Sequence, residues 1–193
     1  MEAKAEKATI FHIARYLVEH LPEMTAMKLQ KLCFYCQAWN LAWEELPLFE
    51  ENFEAWANGP ISPKLFNMHK GLYSIPSNFL EAFAGFPLKE YEKENIDIII
   101  REYGNCDPRY LSELTHSEIP WQKARAGIPN GVPCSNVIEK EDMLIYYQAM
   151  ITNNEELEEE FAKKQWEEHQ AFISKHGQGV SVSAQDLWEE LNL

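Results

Sequence analysis

A long apolar helix between residues 25 and 47 is the feature that most constrains how this chain can fold. Thr25 is a favoured helix N-cap residue, and a helix is expected to end before Pro47. Between them, mainly apolar residues recur every three or four positions and form one stripe along the helix: Leu29, Leu32, Cys33, Cys36, Trp39, Asn40 and Trp43. Such a stripe has to be covered by other elements, so the sequence predicts an interior helix within a folded core.

The rest of the first 150 residues is also mainly helical by pattern. Helices are predicted over residues 9–21, 63–68, 76–83, 96–103, 107–115, 120–126 and 138–150, with a loop over 127–136. Residues 47–63 instead alternate short apolar runs with Pro, Asn and Gly, which predicts one or two brief strands and a turn at Gly59-Pro60. The predicted fold class is mainly α: a compact multi-helix single domain with a small two-stranded β element, plus an acidic helical C-terminal extension.

Charge and composition exclude several classes of protein. The 193 residues include 31 acidic and 17 basic side chains, a net charge of −14. A surface this acidic repels phosphate backbones and anionic lipids, which argues against a dedicated nucleic-acid or membrane-surface protein. Residues 1–21 lack the pattern of a signal peptide, and no apolar run approaches the roughly 20 residues of a membrane span. With four cysteines, the sequence predicts a cytoplasmic protein with reduced thiols.

Half of the excess charge lies in the last 43 residues. Residues 151–193 hold ten acidic and three basic side chains, a net charge of −7. We therefore expect a domain over 1–150 and an acidic extension over 151–193. Apolar anchors are spaced among the acids, and they are the expected partner-binding residues: Leu157, Phe161, Trp166, Phe172, Leu187, Trp188 and Leu191. This combination favours a segment that folds onto a basic partner groove, with a solvated acidic appendage as the alternative.

Few residues point to catalysis. Cys33 and Cys36 form a CxxC pair, which suits a redox centre, half of a zinc site, or two reduced thiols in the core. His116 lies between two short predicted helices, where it would act as a general base with Glu118 or Cys134, or cap a helix end. A metal- or thiol-dependent hydrolase using these side chains is the enzymatic alternative. No glycine-rich nucleotide motif occurs, and the sequence predicts neither an enzyme nor a cofactor.

Two blocks of the sequence resemble the Panacea domain, the SocA-like antitoxin family also described as phage-associated proteins. The first block covers residues 27–66 and the second 103–125, in the family's order, within roughly residues 8–150. The polar, aromatic and turn positions that match are Lys28, Gln30, Lys31, Gln37, Trp39, Glu54, Trp56, Gly59, Pro60, His116, Pro120, Trp121 and Arg125. We refer to these positions as the motif residues. Cys33, Cys36 and Asn58 depart from the family's usual residues.

The resemblance implies a non-enzymatic antitoxin of a toxin–antitoxin system, which neutralises a cognate protein toxin by direct protein–protein binding. It also implies an alternative role, a proteolytic adaptor that delivers a partner to an ATP-dependent protease. The acidic extension predicts a toxin with a basic surface, and the sequence leaves a homo-oligomer open. The motif residues are expected either to organise the interior, for instance through a buried Glu54–Arg125 pair or a His116 hydrogen bond, or to face the toxin.

Overall fold

A computed structural model describes residues 7–152 of the chain, so the acidic extension lies outside the described residues from position 153 onward. The elements are α1 (Ile10–His20), α2 (Ala26–Glu44), β1 (Phe53–Trp56), β2 (Gly59–Ile61), α3 (Pro63–His69), a 3₁₀ turn (Glu81–Phe83), α4 (Glu90–Tyr103), α5 (Pro108–Ser117), α6 (Ile119–Arg125), β3 (Val137–Ile138) and α7 (Lys140–Thr152). More than half of the described residues are helical, which confirms the mainly α prediction. None of these helices is long and apolar enough to cross a membrane.

Helix α2 runs through the middle of the fold. It packs against α1, α3, α4, α5, α7 and strand β2, and fourteen of its 19 residues are buried. The Thr25 hydroxyl caps the helix by accepting a hydrogen bond from the Lys28 amide at 3.2 Å. The predicted interior helix is therefore confirmed. Burial extends around the whole helix rather than along one stripe, so polar side chains such as Gln30, Lys31 and Gln37 are buried as well.

Aromatic rings fill the space between α2, α4 and α7. Tyr35 stacks on Tyr103 with 4.3 Å between ring centroids, and Tyr147 packs edge-on against Trp39 at 4.9 Å. The indole Nε1 of Trp39 donates a hydrogen bond to the Tyr103 hydroxyl at 3.1 Å. Large buried rings contribute about 3–5 kcal/mol each, so this cluster holds three helices that are far apart in sequence.

The chain that leaves α2 is fixed by a side chain of α2 itself. Gln37 is fully buried, and its Nε2 donates to the Phe49 carbonyl at 2.8 Å. Its Oε1 accepts hydrogen bonds from the amides of Leu48 and Phe49 at 2.9 and 3.3 Å. The carboxamide thus makes the bonds that a neighbouring strand would make, and it directs residues 48–49 toward β1.

Most of the predicted helices are confirmed to within about two residues of their predicted ends. Helices α1, α3, α5 and α6 begin and end close to the predicted positions. Asp107 caps α5 by accepting hydrogen bonds from the amides of Arg109 and Tyr110, as the Asp-Pro pattern predicts. Helix α4 begins at Glu90, earlier than the predicted start at 96, because its first turn is stabilised by acidic residues rather than by apolar ones.

The predicted helix over residues 76–83 is wrong, because only the 3₁₀ turn at Glu81–Phe83 forms there. The buried Arg15 of α1 explains the difference. Its Nη1 donates to the carbonyl oxygens of Ser77 and Phe79 at 2.6 and 3.1 Å. Those carbonyls therefore have a side-chain partner, and the segment wraps around the guanidinium instead of forming a helix.

A three-stranded antiparallel sheet packs against α2, α5 and α6, with the strand order β2-β1-β3. Trp56 pairs with Gly59 in one ladder, and Phe53 pairs with Ile138 in the other. The sequence predicted two strands, and it placed Ile138 in the last helix, which begins instead at Lys140. Strand β3 could not be predicted from the sequence pattern, because two residues are too few to show alternation and its partner β1 is distant in the sequence.

The turn of the β1–β2 hairpin is made by Ala57 and Asn58, so the prediction of a turn at Gly59-Pro60 is wrong by two residues. Gly59 and Pro60 open strand β2 instead. Gly59 has φ +95°, a conformation that glycine adopts at no steric cost. Pro60 is tolerated because β2 lies at the edge of the sheet, where a missing N–H removes no ladder bond.

We expect Gln37→Leu to lower the free energy of unfolding by about 3 kcal/mol. The substitution keeps the side-chain volume but leaves the backbone groups of residues 48–49 without their partner. Urea denaturation followed by circular dichroism measures the effect. Gln122→Leu is the matched control, because Gln122 is exposed, and we expect a change within about 0.5 kcal/mol. Equal effects of the two substitutions would contradict the role of Gln37.

Candidate functional site

A small pocket opens between α2, α3 and the β1–β2 hairpin, and we call it the Lys31 pocket. Three of its lining residues are buried and polar, namely Gln30, Lys31 and His69, and others are apolar, namely Met27, Phe66 and Leu72. Its volume is about 20 Å³, room for about one water molecule. No carboxylate lines it. Its buried polar groups, rather than its size, make it the candidate site.

Gln30 joins α2 to the start of α3 at this pocket. Its Oε1 accepts the amide hydrogen of Ser62 at 2.9 Å, and its Nε2 donates to Nε2 of His69 at 2.9 Å. Burial lowers the pKa of His69 to about 4, so the ring is neutral at pH 7 and its Nε2 is free to accept this bond. The Ser62 hydroxyl is buried and has no hydrogen-bond partner among residues 7–152.

Lys31 is the most unusual group at the pocket. Its side chain has no exposed surface, and its Nζ donates one hydrogen bond, to the Pro60 carbonyl at 3.2 Å. Burial lowers the pKa of the amine to about 7, because an ammonium group without a counter-ion is disfavoured in a dry interior. Lys31 therefore titrates near neutral pH and has hydrogen-bonding capacity to spare.

Gly59 allows Lys31 to pass between the hairpin and α5. A Cβ atom on Gly59 would lie 2.8 Å from Cε of Lys31 and 2.7 Å from Oγ1 of Thr115, closer than side chains pack. The Thr115 hydroxyl is itself fixed, because it donates to the Ser112 carbonyl at 2.7 Å. Three elements therefore meet at this glycine, and no other residue fits both its space and its φ angle.

A second group of motif residues joins the hairpin to α6. Nε1 of Trp121 donates to the Trp56 carbonyl at 3.1 Å. The imidazole of His116 stacks on the Trp121 ring at 4.1 Å, and the Arg125 guanidinium lies 4.8 Å from that ring. Burial, together with the positive charges of Lys31 and Arg125, lowers the pKa of His116 to about 4. Its Nε2 is buried without a hydrogen-bond partner in the described part of the chain.

The predicted Glu54–Arg125 pair is wrong. Arg125 is buried, and it donates to the Ala55 carbonyl at 2.9 Å and to carbonyls of the loop 128–132. Glu54 instead accepts a hydrogen bond from Nε1 of Trp56 at 2.7 Å. The physical reason is the alternation of a strand: Ala55 faces the core, so its neighbours on either side point to the opposite face of the sheet.

A buried carboxyl group lies at the junction of α5 and α6. Oε1 of Glu118 accepts a hydrogen bond from the Tyr35 hydroxyl at 3.2 Å, and Oε2 accepts one from the Tyr147 hydroxyl at 2.8 Å. Burial raises the pKa of Glu118 to about 8, although the two phenol hydrogen bonds favour the ionised form. The sequence pointed to Glu118 as a candidate partner of His116 and as a position within the second family block. No local signal links it to tyrosines on α2 and α7.

The cysteine pair lies in the core of the protein. Cys33 and Cys36 are buried on α2 with free thiols, and burial raises the pKa of both. Cys106 is buried as well, with a thiol pKa raised to about 11. Within residues 7–152, no group of three or more His, Cys, Asp or Glu side chains is arranged to hold a metal ion. Thiolates are the reactive form, so these thiols are poor nucleophiles at pH 7.

The remaining motif residues lie in three places. Lys28 is half-buried on α2 one turn before Lys31, and burial lowers its pKa. Trp39 and Gln37 hold the aromatic cluster and residues 48–49, and Pro120 is buried in the first turn of α6. The predicted partner-binding residues lie outside the described residues: Leu157, Phe161, Trp166, Phe172, Leu187, Trp188 and Leu191.

We expect Gly59→Ala to destabilise the protein by about 3 kcal/mol and Gly71→Ala by about 1 kcal/mol. The two glycines have similar φ angles, +95° and +92°, but a Cβ on Gly71 would meet nothing within 4 Å. The strain of the φ angle is therefore shared, and only Gly59→Ala adds the collision with Lys31. Thermal and urea unfolding measure both variants. Indistinguishable losses of stability would contradict the close approach of Lys31 to the hairpin.

We expect Glu118→Gln to remove part of the pH dependence of stability. The raised pKa means that the folded state retains a proton that the unfolded state releases above its usual pKa of 4.5. Stability therefore falls as the pH rises from about 4.5 to about 8, by up to about 1.4 kcal/mol per pH unit from this group. Urea titrations at pH 5, 6.5 and 8 measure the slope. Exposed Glu113→Gln is the control, and parallel profiles for wild type and Glu118→Gln would contradict the assignment.

Comparison with known proteins gives one match. A search of curated proteins and a search of solved structures found no significant similarity to this chain. A family model described as "Antitoxin SocA-like, Panacea domain" matches residues 29–122, just under half of the chain. The match runs from the first turn of α2 into α6, and it includes Lys31, most of the pocket lining and Trp121. It confirms the resemblance found in the two sequence blocks. Residues 29–122 therefore match the family of SocA-like antitoxins that is defined by the Panacea domain.

Proposed function

We propose that this protein is an antitoxin that neutralises a cognate protein toxin by direct binding. The observation that carries the proposal is the family match over residues 29–122. The described residues are compatible with a binding protein, because their buried polar groups are used mainly to hold elements together. His116 stacks on Trp121, and Glu118 is held between two tyrosines.

The surface beside the Lys31 pocket supports a protein partner. Leu72 lines the pocket and Tyr73 follows it, both 38% exposed, and Met68 on α3 is 49% exposed. The Tyr73 carbonyl accepts a hydrogen bond from the Ala26 amide at 2.9 Å, which fixes this apolar segment against the start of α2. A group of exposed apolar side chains next to a concave site is a feature of protein interaction surfaces.

The acidic extension forms the second part of the proposed interface. It carries a net charge of −7 with apolar anchors between the acids, which suits a toxin with a basic surface. The body supplies a rigid scaffold, and the extension adds affinity and selects the partner. In this arrangement the two parts make separable contributions to binding.

Co-expression with the protein encoded by the neighbouring gene tests the proposal. We expect the neighbour alone to arrest growth, the full chain to restore growth, and a chain ending at Thr152, which retains α7, to restore it weakly. Circular dichroism of the shortened chain controls for folding. Absence of rescue by the full chain would contradict the antitoxin function, whereas full rescue by the shortened chain would contradict only the role of the extension.

The half-life of the neighbouring protein, measured in the same strains, separates two mechanisms. Neutralisation by binding leaves the amount of toxin unchanged or increased, because the complex protects it. Rapid loss of the toxin only in the presence of this chain would instead support the adaptor role that the resemblance also implies.

A further inference from the structure

Two of the three lysines that lack a carboxylate partner within residues 7–152 line the Lys31 pocket. Of the nine lysines among the described residues, five form ion pairs with carboxylates within 4.0 Å, and Lys140 bonds the Asn52 side chain and a backbone carbonyl. The other three have no carboxylate at that distance in residues 7–152: Lys28, Lys31 and Lys70.

Two of these three lysines line the pocket, and the third lies nearby on α2. Lys31 and Lys70 both line the pocket, and Lys28 lies one turn before Lys31 on α2, where the charge of Asp107 also acts on it. In a chain with 31 acidic and 17 basic residues, a pocket lined by two lysines and by no carboxylate is a local excess of basic groups. Burial of Lys31 without a counter-ion costs stability, and an anionic group placed beside it would offset that cost.

Apolar side chains adjoin the lysines, so the complementary ligand combines carboxylates with large apolar groups. Met27, Phe66 and Leu72 line the pocket, and the exposed Tyr73 follows Leu72 in the sequence. The pocket itself has room for little more than one water molecule. A ligand would therefore lie across the apolar surface and insert only a small group.

Residues 186–191 of this chain have that composition. The sequence DLWEEL has three acids, no base, and the apolar residues Leu187, Trp188 and Leu191. We propose that this segment docks on the Lys31 pocket of its own chain, with its carboxylates toward Lys28 and Lys70 and its apolar residues against the surface around Leu72. The proposal does not depend on the antitoxin function. A toxin that binds the acidic extension would have to displace the segment.

The length of the chain permits this docking. Gln148, near the end of α7, donates to Glu45 at the C-terminal end of α2, so α7 ends roughly 25 Å, most of the length of α2, from the pocket. Thirty-three residues separate Thr152 from Asp186, which reach about 30 Å as a random coil or about 50 Å as a helix. The first acids of the cluster at 155–161 are too close to α7 to reach the pocket, since three residues span only about 10 Å.

Hydrogen exchange of the purified full chain, without any toxin, tests the proposal. We expect amides of residues 186–191 to exchange at least tenfold more slowly than in a free peptide of the same sequence. Lys28→Glu with Lys70→Glu should abolish this protection, and 0.5 M salt should weaken it. Lys70→Glu alone should reduce the protection of residues 186–191 severalfold. Because Lys70 is exposed, this single variant keeps the test valid if the double variant misfolds.

Two further variants make the test specific. Lys89→Glu with Lys93→Glu changes the net charge equally at the start of α4 and should leave the protection intact. Asp186→Lys, Glu189→Lys and Glu190→Lys, combined with the Lys28 and Lys70 reversals, should restore it by exchanging the charges. Free-peptide exchange in the wild-type chain, or equal loss of protection in the Lys89/Lys93 control, would overturn the proposal. Protection that disappears on dilution would also overturn it, because the segment would then bind a second copy.

Discussion

Helix α2 is enclosed by the rest of the fold over most of its surface, and this enclosure determines how its polar groups are arranged. A helix with one exposed face can leave its polar side chains in water, but α2 cannot. Gln30 therefore binds the start of α3, and Gln37 binds the backbone of residues 48–49. The side chains of one helix thus direct the path of the segments that follow it, and they fix the hairpin against α2.

The Lys31 pocket results from the same enclosure. Lys31 cannot reach solvent, and the hairpin offers it one carbonyl at Pro60 because Gly59 has no side chain to exclude it. Glu118 shows the opposite solution for a buried acid, since the hydroxyls of Tyr35 and Tyr147 lie within hydrogen-bond distance of its two oxygens. One buried group is satisfied inside the fold, and the other has capacity left for a ligand. This difference separates a structural polar group from a candidate binding group.

Signals within a few residues of each other in the sequence predicted the helices and their N-caps. The helices follow from apolar spacing, and Thr25 and Asp107 cap their helices because an N-cap acts within three residues. Contacts between residues that are far apart in the sequence could not be predicted from such local signals. His69 binds Gln30, and Tyr147 binds Glu118, but neither residue carries a mark of its partner. The Glu54–Arg125 prediction failed for a related reason: sequence identifies two charges, whereas the pleat of β1 decides which face each occupies.

Because Cys33 and Cys36 are buried on α2, their reaction with thiol reagents reports on unfolding of the core. Reagents can reach both thiols only when α2 separates from the elements packed against it. Burial also raises the pKa of both thiols well above neutral pH. A maleimide or a disulfide reagent reacts with thiolates, so modification at neutral pH has to wait until α2 is exposed. The rate at which these two cysteines are labelled therefore measures how often the core opens, for the purified protein and equally in a lysate or a living cell.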